Sequence, residues 1–299
     1  FLINKITEIV GEENTIVQCD MSKFTSFRAG GKAECLVQPQ DKDQLKAVLQ
    51  LLAGSDVPYM VMGNGSNILV KDSGYKGVIV KMGDSFNSID IEGTVLTAGS
   101  GTLMSQVAKA ALDNSLTGFE FASGIPGSLG GAVFMNAGAY GGEMVHIIKE
   151  AKLVSKDGSR EYTMNCDELE LSYRHSILHE TGDIVVSVTL QLEEGNKDEI
   201  NATMKELTAK RNEKQPVHLP SAGSFFKRPE GYFAGKLVQD AGMKGFSVGA
   251  AQVSPLHSGF VVNNGGATAT EILQLMEIVQ AAVMEQFGVK LEPEVRIIG

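Results

Sequence analysis

The sequence predicts a mixed α and β protein of two domains, each alternating strands with helices. Three observations lead there. The chain has 299 residues, and domains commonly hold about 100–200. Strand-like apolar runs alternate with helical patterns on both sides of a charged break at Glu194–Lys197, where Gly195 and Asn196 sit. Hydrophobic residues make up 43% and charged residues 21%, so a core can form without disulfide or metal staples, and disorder is disfavoured.

Each element follows from its pattern. Asp41 to Ala53 reads as an amphipathic helix with Leu45, Val48, Leu49 and Leu52 on one face. Tyr59–Met62 and Ile68–Val70 read as short buried strands flanking a Gly/Asn turn, and Gly77–Lys81 as a third. Val95–Gly99 is strand-like, and Thr102 to Asn114 is helical with Leu103, Val107 and Ala110 inward. Glu150–Ser155 and Asp183–Glu193 are strands. In the second, Ile184, Val186, Val188, Leu190 and Leu192 share one face. Beyond the break, Asp198 to Asn212 reads as a polar helix anchored by Ile200, Met204 and Leu207. A helix near Ala234–Gln239 and strands near Val248–Ser254 and Gly259–Asn263 follow. The helix from Thr268 to Gln286 carries Ile272, Leu275, Met276, Val279, Val283 and Phe287 at helical spacing, which reads as core packing rather than a cofactor box. The chain ends in a strand, Glu294–Ile298.

The net charge is −10, which argues against non-specific nucleic-acid binding. Cys19, Cys35 and Cys166 are odd in number and form no CxxC pair, so a reduced, cytoplasmic protein without a zinc or redox pair is expected. The five His are scattered without HExxH spacing, and no metal is expected. A start at Phe1 reads as a trimmed form, and Glu8, Glu12 and Glu13 interrupt any signal-peptide core. The longest uncharged stretch, Phe121 to Gly142, is long enough to span a membrane. Seven of its residues are Gly, so it reads as a backbone-built loop region instead.

Glycine is the compositional outlier, at 34 residues, above the usual share of about 7%. One cluster, Gly63-Asn64-Gly65-Ser66-Asn67, follows a strand. Successive amides in such a turn can cradle an anion, and a plain turn fits as well. The densest cluster runs Ser123-Gly124-Ile125-Pro126-Gly127-Ser128-Leu129-Gly130-Gly131-Ala132 and continues through Asn136-Ala137-Gly138-Ala139 to Gly141-Gly142. Small residues interleaved with Ile125, Leu129, Val133, Phe134 and Met135 suit a chain pressed against a planar or pyrophosphate ligand. A flexible linker lacks such apolar anchors. A third cluster is Arg28-Ala29-Gly30-Gly31. No GxGxxG and no GxxxxGK[ST] exists, so Rossmann and P-loop readings are disfavoured.

From Lys205 to Lys244 eight Lys/Arg face four Asp/Glu, a +4 island on a chain otherwise at −14. That fits a small polyanion, or simply a solvated face. Within it, Ser221-Ala222-Gly223-Ser224-Phe225-Phe226-Lys227-Arg228-Pro229 can form a partly dry hydroxyl site. Ser224 lacks a GxSxG elbow and an SxxK lysine, and nothing aligns His218 as its base, so a hydrolytic serine is disfavoured.

Together these segments resemble the UDP-N-acetylenolpyruvoylglucosamine reductases. The resemblance runs through Ser26-Phe27-Arg28-Ala29-Gly30-Gly31, Gly63–Asn67, Ser123–Ala132, Asn136-Ala137-Gly138-Ala139-Tyr140-Gly141, Tyr173-Arg174, Ala222–Lys227 and Glu294-Val295-Arg296. It implies an α+β protein. An FAD-binding fold of the vanillyl-alcohol-oxidase (PCMH) type, in two subdomains, is joined to a separate α/β substrate-binding domain that closes over the flavin. The implied ranges are 1–83 and 84–193 for the FAD-binding subdomains, 194–206 for a connecting segment, 207–290 for the substrate domain, and 291–299 returning toward the first half. It implies non-covalent FAD, held by Gly63, Asn64, Gly65, Ser66, Asn67, Ser123, Gly124, Ile125, Pro126, Gly127, Ser128, Gly131, Ala132, Asn136 and Gly138.

NADPH is the implied hydride donor, and UDP-N-acetylglucosamine enolpyruvate the acceptor, reduced to UDP-N-acetylmuramate for peptidoglycan synthesis. Arg174 matches the family's carboxylate-binding arginine, Ser224 its proton donor and Glu294 its polarising glutamate. Tyr173, Lys214, Lys227 and Arg228 match substrate-binding positions. Taken singly, without the resemblance, Arg174 reads rather as a structural ion-pair partner and Glu294 as a surface carboxylate on a terminal strand. Arg174 to Ile184 is too short for the tyrosine loop of the family's better-known class, so the chain resembles the shorter second class. A flavin oxidase of the same fold and a flavin-binding electron-transfer subunit are the alternatives. The first is disfavoured because the glycine clusters hold no His for covalent flavin attachment.

Overall fold

The computed structural model describes residues 1–299. The chain folds into two compact units. One comprises Phe1–Val17, Cys35–Asn64 and Gly77–Lys210, and the other Gln18–Glu34, Gly65–Lys76 and Arg211–Gly299. This division cuts across the linear ranges expected from sequence. Residues 18–34 and 65–76 join the C-terminal unit because Ile68–Val70 pairs in parallel with the terminal strand Arg296–Ile298. The anticipated connector 194–206 is mostly helix: the chain leaves the first unit along Lys197–Lys214, of which only Ile200 is buried.

The first unit is built on two cores. In one, the helices Leu2–Val10 and Lys42–Ala53 pack Ile6, Val10, Leu45, Val48, Leu49 and Leu52 against Cys35, Val37, Val78 and Val80. Asp41 caps the second helix, its carboxylate accepting the Gln44 amide at 2.8 Å. The strands here follow the order Thr15–Asp20, Lys32–Val37, Tyr75–Lys81, Tyr59–Met62, the last two parallel. Tyr59–Met62 is a strand as expected, but only Met62 in it is buried. It does not pair with Ile68–Val70 across the Gly/Asn turn, because each has a different partner.

The second core lies on a five-stranded antiparallel sheet ordered Glu161–Asn165, Ile148–Val154, Ile184–Gln191, Val95–Gly99, Ile89–Glu92. Val188, Leu190 and Leu192 face this core as the alternation predicts. The helix here is Met104–Asp113, with Met104, Val107, Ala108 and Ala111 buried. Leu103, expected inward, is its half-buried N-cap instead, which moves the apolar face by one residue. Inside the uncharged glycine-rich stretch sits a short helix, Leu129–Phe134, then a hairpin of Gly138–Ala139 with Gly142–Glu143. The hairpin turn is Tyr140-Gly141, both at positive φ (50° and 81°), the backbone a two-residue turn of right-twisted strands requires.

In the second unit, Ser247–Val248, Ala251–Val253 and Val261–Asn263 form an antiparallel sheet. The helices Ala234–Asp240 and Ala269–Phe287 pack with it. Ile272, Leu275, Val279 and Val283 are buried, so the stripe is core packing, but Phe287 at its end is 40% exposed. Thr268 and Glu271 form a reciprocal capping box at its start (3.0 and 2.9 Å) and Gly288, at φ 67°, ends it.

Asp72 adds a third anchor to this helix start. It accepts the amides of Ala269 and Thr270 (3.1 and 2.8 Å) and the Thr270 hydroxyl (2.6 Å). Partial burial pushes its carboxyl up, but these three donors outweigh that and hold it below its ordinary value. Asp72→Ala should cost about 1 kcal/mol, the usual worth of a helix cap. Because the folded-state value is the depressed one, the stabilisation is complete above the unfolded carboxylate value and is lost as pH falls through the folded one. Thermal melts of the two proteins should therefore differ at pH 7 and converge at strongly acidic pH. A gap that persists in acid would contradict this account.

Candidate active site

In the first unit the glycine-rich segment is laid against Ser100–Leu103. The Met104 amide bonds Gly127 O, Leu129 N bonds Thr102 O and Gly130 N bonds Ser100 O, at 2.9–3.0 Å. Gly63 comes up to this segment: a Cβ on it would lie 2.4 Å from Ser128 Oγ. Two glycine clusters about 60 residues apart in sequence thus meet backbone to side chain, where a larger residue at 63 would have to displace the Ser128 hydroxyl. Gly124, Ile125 and Gly127 are half-buried, Pro126 and Gly131 exposed, and Ser128 and Ala132 buried. The hydroxyls of Ser123 and Ser100 are buried without a hydrogen-bond partner. An orphaned buried hydroxyl is costly unless a ligand satisfies it. A glycine-rich, small-residue segment with two buried hydroxyls that lack a protein partner fits a dinucleotide with a planar ring, and so fits FAD.

Arg174 lies in the same unit, in a two-residue turn closed by Ser172 and His175, which exchange both backbone hydrogen bonds at 3.1 Å. Its φ is 51°, an uncommon conformation for a non-glycine residue. Its guanidinium donates to Gly138 O (3.1 Å) and Asn136 O (3.4 Å) and lies 5.1 Å from the centre of the Tyr173 ring. The segment expected only to hold a cofactor therefore also aims Arg174. From Arg174 the chain reaches the strand Ile184–Gln191 with only the helix Leu178–Thr181 intervening. No room remains for an inserted loop.

In the second unit, Ser224 and Glu294 are neighbours. The segment Ser224–Lys227 is extended. Ser224 pairs with Phe260, Phe225 N bonds Gly259 O (2.9 Å), and on the other side Glu294 N bonds Phe225 O (2.7 Å) while Lys227 N bonds Glu292 O (2.8 Å). Phe225 and Phe226 are buried beneath, Ser224 is exposed, and Lys227 and Glu294 are half-buried. Arg228 is exposed, with its guanidinium 5.3 Å from the centre of the Phe233 ring. Lys214 is exposed on the last turn of Lys197–Lys214. The turn before Phe260 carries His257, whose Nδ1 accepts the Gly259 amide at 3.0 Å. Burial pushes its imidazole below the ordinary value.

Several residues that serve this group escaped sequence reasoning. Ser26 donates its hydroxyl to Ser221 O at 2.7 Å, three residues before Ser224. The buried Asn263 donates to Phe27 O and Arg28 O (2.9 and 3.3 Å) and accepts the Gly265 and Ala267 amides. Asn67, expected to meet the cofactor, donates its amide to Glu294 O at 3.2 Å, and its carbonyl accepts Arg296 N at 2.9 Å. Gly65, another expected cofactor contact, is buried where a Cβ would lie 2.2 Å from Phe24 O. Asn64 is exposed and Ser66 half-buried on the same loop. A hydrophilic residue bonding a distant carbonyl leaves no trace in hydrophobic periodicity. The recurrence of Asn beside Gly was the available signal.

The sheet arrangement, the glycine cradle and the orphaned serines define the class: an FAD-binding flavoprotein. Residues 33–162 match the FAD binding domain family, and residues 215–298 match the family described as UDP-N-acetylenolpyruvoylglucosamine reductase, C-terminal domain. A UDP-N-acetylenolpyruvoylglucosamine reductase of Clostridium perfringens (strain SM101 / Type A) is 52% identical over 292 residues, covering 98% of this chain and 95% of that one. The crystal structure of the corresponding Thermus caldophilus reductase is 34% identical with a TM-score of 0.81, covering 95% of this chain and 98% of the other. A grass-pollen glucose dehydrogenase, Phl p 4.0202, shares the fold alone: TM-score 0.52 at 13% identity, over 66% of this chain and 44% of its own. The chain belongs to the UDP-N-acetylenolpyruvoylglucosamine reductase family, on a flavin-binding fold that the pollen dehydrogenase shares.

Proposed function

We propose that the protein reduces UDP-N-acetylglucosamine enolpyruvate to UDP-N-acetylmuramate for peptidoglycan synthesis, with NADPH as reductant and Ser224 as proton donor. The observation that carries this is that Ser224 and Glu294 lie on adjoining extended segments, with Glu294 bonded to Phe225, the residue after Ser224. A hydroxyl and a carboxylate stand on adjacent extended segments, tied by the 2.7 Å bond from Glu294 N to Phe225 O.

FAD would be held by Gly63 and the Ser123–Ala132 segment, with Ser123 and Ser100 offering their unpartnered hydroxyls. When bound, FAD supplies the redox chemistry, taking a hydride from NADPH and delivering one to the methylene carbon of the enolpyruvyl group. The remaining work belongs to side chains. Hydride addition places negative charge on the adjacent carbon and its carboxylate. Arg174 binds that carboxylate with a guanidinium already oriented by two carbonyls, so little reorganisation accompanies charge development. Glu294 polarises the same group. Ser224 transfers its hydroxyl proton to the carbanionic carbon, which completes the C–H bond and saturates the former double bond. A serine is a weak acid, so this needs a strongly basic carbon and close placement. Tyr173, Lys227 and Arg228 contact the nucleotide substrate, and Lys214 adds positive charge for its diphosphate. The site takes no nucleic acid. No helix is long and apolar enough to cross a membrane. The enzyme works in the cytoplasm, where its nucleotide substrates are made.

The test is an anaerobic visible-spectrum titration of the FAD-loaded protein. NADPH should bleach the flavin band, and the enolpyruvyl-UDP-sugar should restore it without air. Recovery only on admitting oxygen would favour an oxidase-like reading. Absence of a flavin band after FAD addition would remove the cofactor and the function with it.

A further inference from the structure

Asn136 was expected to touch the cofactor. Its surroundings say otherwise. The residue is 1% exposed. Both hydrogens of its side-chain amide are engaged, one with Glu143 Oε1 (3.1 Å) and one with Ser172 O (3.0 Å). The amide oxygen accepts Val145 N at 2.9 Å. Ser172 closes the turn that carries Arg174, and the main-chain carbonyl of Asn136 accepts from the Arg174 guanidinium itself. One residue thus grips the Arg174 turn from its side chain and the Arg174 side chain from its backbone.

The backbone explains why the residue is asparagine. Its φ is 45°, in the left-handed region that costs most L-residues about 1–2 kcal/mol and that asparagine visits most readily after glycine. Glycine could adopt the turn but would lose all three side-chain bonds. Aspartate would keep the shape but could not donate to Ser172 O, and would set a negative charge against Glu143. Arg174 at φ 51° and Tyr140 at φ 50° lie on the same assembly. Of these, the conformations at Asn136 and Arg174 meet at one guanidinium, and such conformations persist only where surrounding contacts over-determine them.

We infer that Asn136 is a positioning residue for Arg174, acting on the carboxylate-binding step rather than on flavin binding. The inference rests on the proposed role of Arg174. In the FAD-loaded enzyme, Asn136→Asp should slow flavin reoxidation by the enolpyruvyl substrate about 10–100-fold, the scale of an ångström-sized misplacement. FAD content and the rate of flavin reduction by NADPH should stay within about twofold of wild type, as expected of a residue that acts through Arg174. Asn136→Gly, which keeps the left-handed backbone, should show the same split if Asn136→Asp folds poorly. In an Arg174→Ala background, Asn136→Asp should slow reoxidation little further, because a residue acting through another has no independent effect once that other is gone.

Loss of FAD with an unchanged reoxidation rate would overturn the inference and return Asn136 to the cofactor. So would an undiminished effect in the Arg174→Ala background. If Arg174→Ala itself leaves reoxidation intact, the reading of Arg174 has failed instead, and the two failures are told apart.

Discussion

Ser224→Ala is expected to abolish turnover while leaving the flavin reducible. Single-turnover mixing should show NADPH bleaching the flavin at the wild-type rate. Reoxidation by the enolpyruvyl-UDP-sugar should fall by about 10²–10⁴-fold, the range general acid catalysis contributes. The structural risk is small. Ser224 is exposed and its backbone pairing with Phe260 needs no side chain, while Phe225 and Phe226 carry the burial on either side of Glu294 N. The variant should therefore melt within about 0.5 kcal/mol of wild type, as exposed substitutions generally do. Ser224→Cys gives a second arm. A thiol is the stronger acid but is longer and larger, so partial recovery would identify the defect as one of proton donation. Equal turnover in Ser224→Ala would remove Ser224 from the chemistry and leave the Phe225–Glu294 backbone pairing as architecture alone.

This experiment also probes how far the sequence could be read. The regular elements with one buried face were legible, because periodicity records burial directly. Lys42–Ala53 and Ala269–Phe287 fall within a residue or so of their expected bounds. The helix Leu2–Val10 and the strands Thr15–Asp20 and Lys32–Val37 were not foreseen. The first is a short nine-residue helix, Thr15–Asp20 buries only Cys19, and Lys32–Val37 buries Ala33, Cys35, Leu36 and Val37 without a strict alternation to mark it. The glycine clusters were located correctly, but their physical tasks differ. Gly63 comes up against the Ser123–Ala132 segment, where the flavin is proposed to lie. Gly30 and Gly31, by contrast, make room for the backbone of Val70 and Asp72, at 2.4 and 2.5 Å from a would-be Cβ. From sequence both look alike, because glycine marks a close approach without saying what approaches. The same ambiguity holds for Asn67 and Asn136, whose side chains bond protein carbonyls. Ser224 and Glu294 lie 70 residues apart in sequence, and only strand pairing brings them together. No spacing rule could have joined them without the family resemblance.

Arg174→Lys is the second large effect, and it separates charge from geometry. Lysine keeps the positive charge but presents a compact ammonium in place of a planar fork. In the protein that fork is held by Gly138 O and Asn136 O, while a Cβ on Gly138 would lie 3.3 Å from Arg174 Nη1 and crowd it. If the guanidinium stabilises charge as it develops on the substrate carboxylate, losing the oriented donors should slow reoxidation about 10²–10³-fold, as removal of one preorganised donor does. Flavin reduction by NADPH, which develops no charge there, should be unaffected. If Arg174 merely binds the ground-state carboxylate, KM for the sugar nucleotide should rise with kcat unchanged. A plain electrostatic role would let lysine retain most of the rate, with only Arg174→Ala deficient. The turn itself should survive either change, since its closure by Ser172 and His175 is entirely backbone. The positive φ at residue 174 is no worse for lysine or alanine than for arginine. A fall in kcat with both variants, with flavin reduction intact, would therefore report the lost fork rather than a disturbed fold.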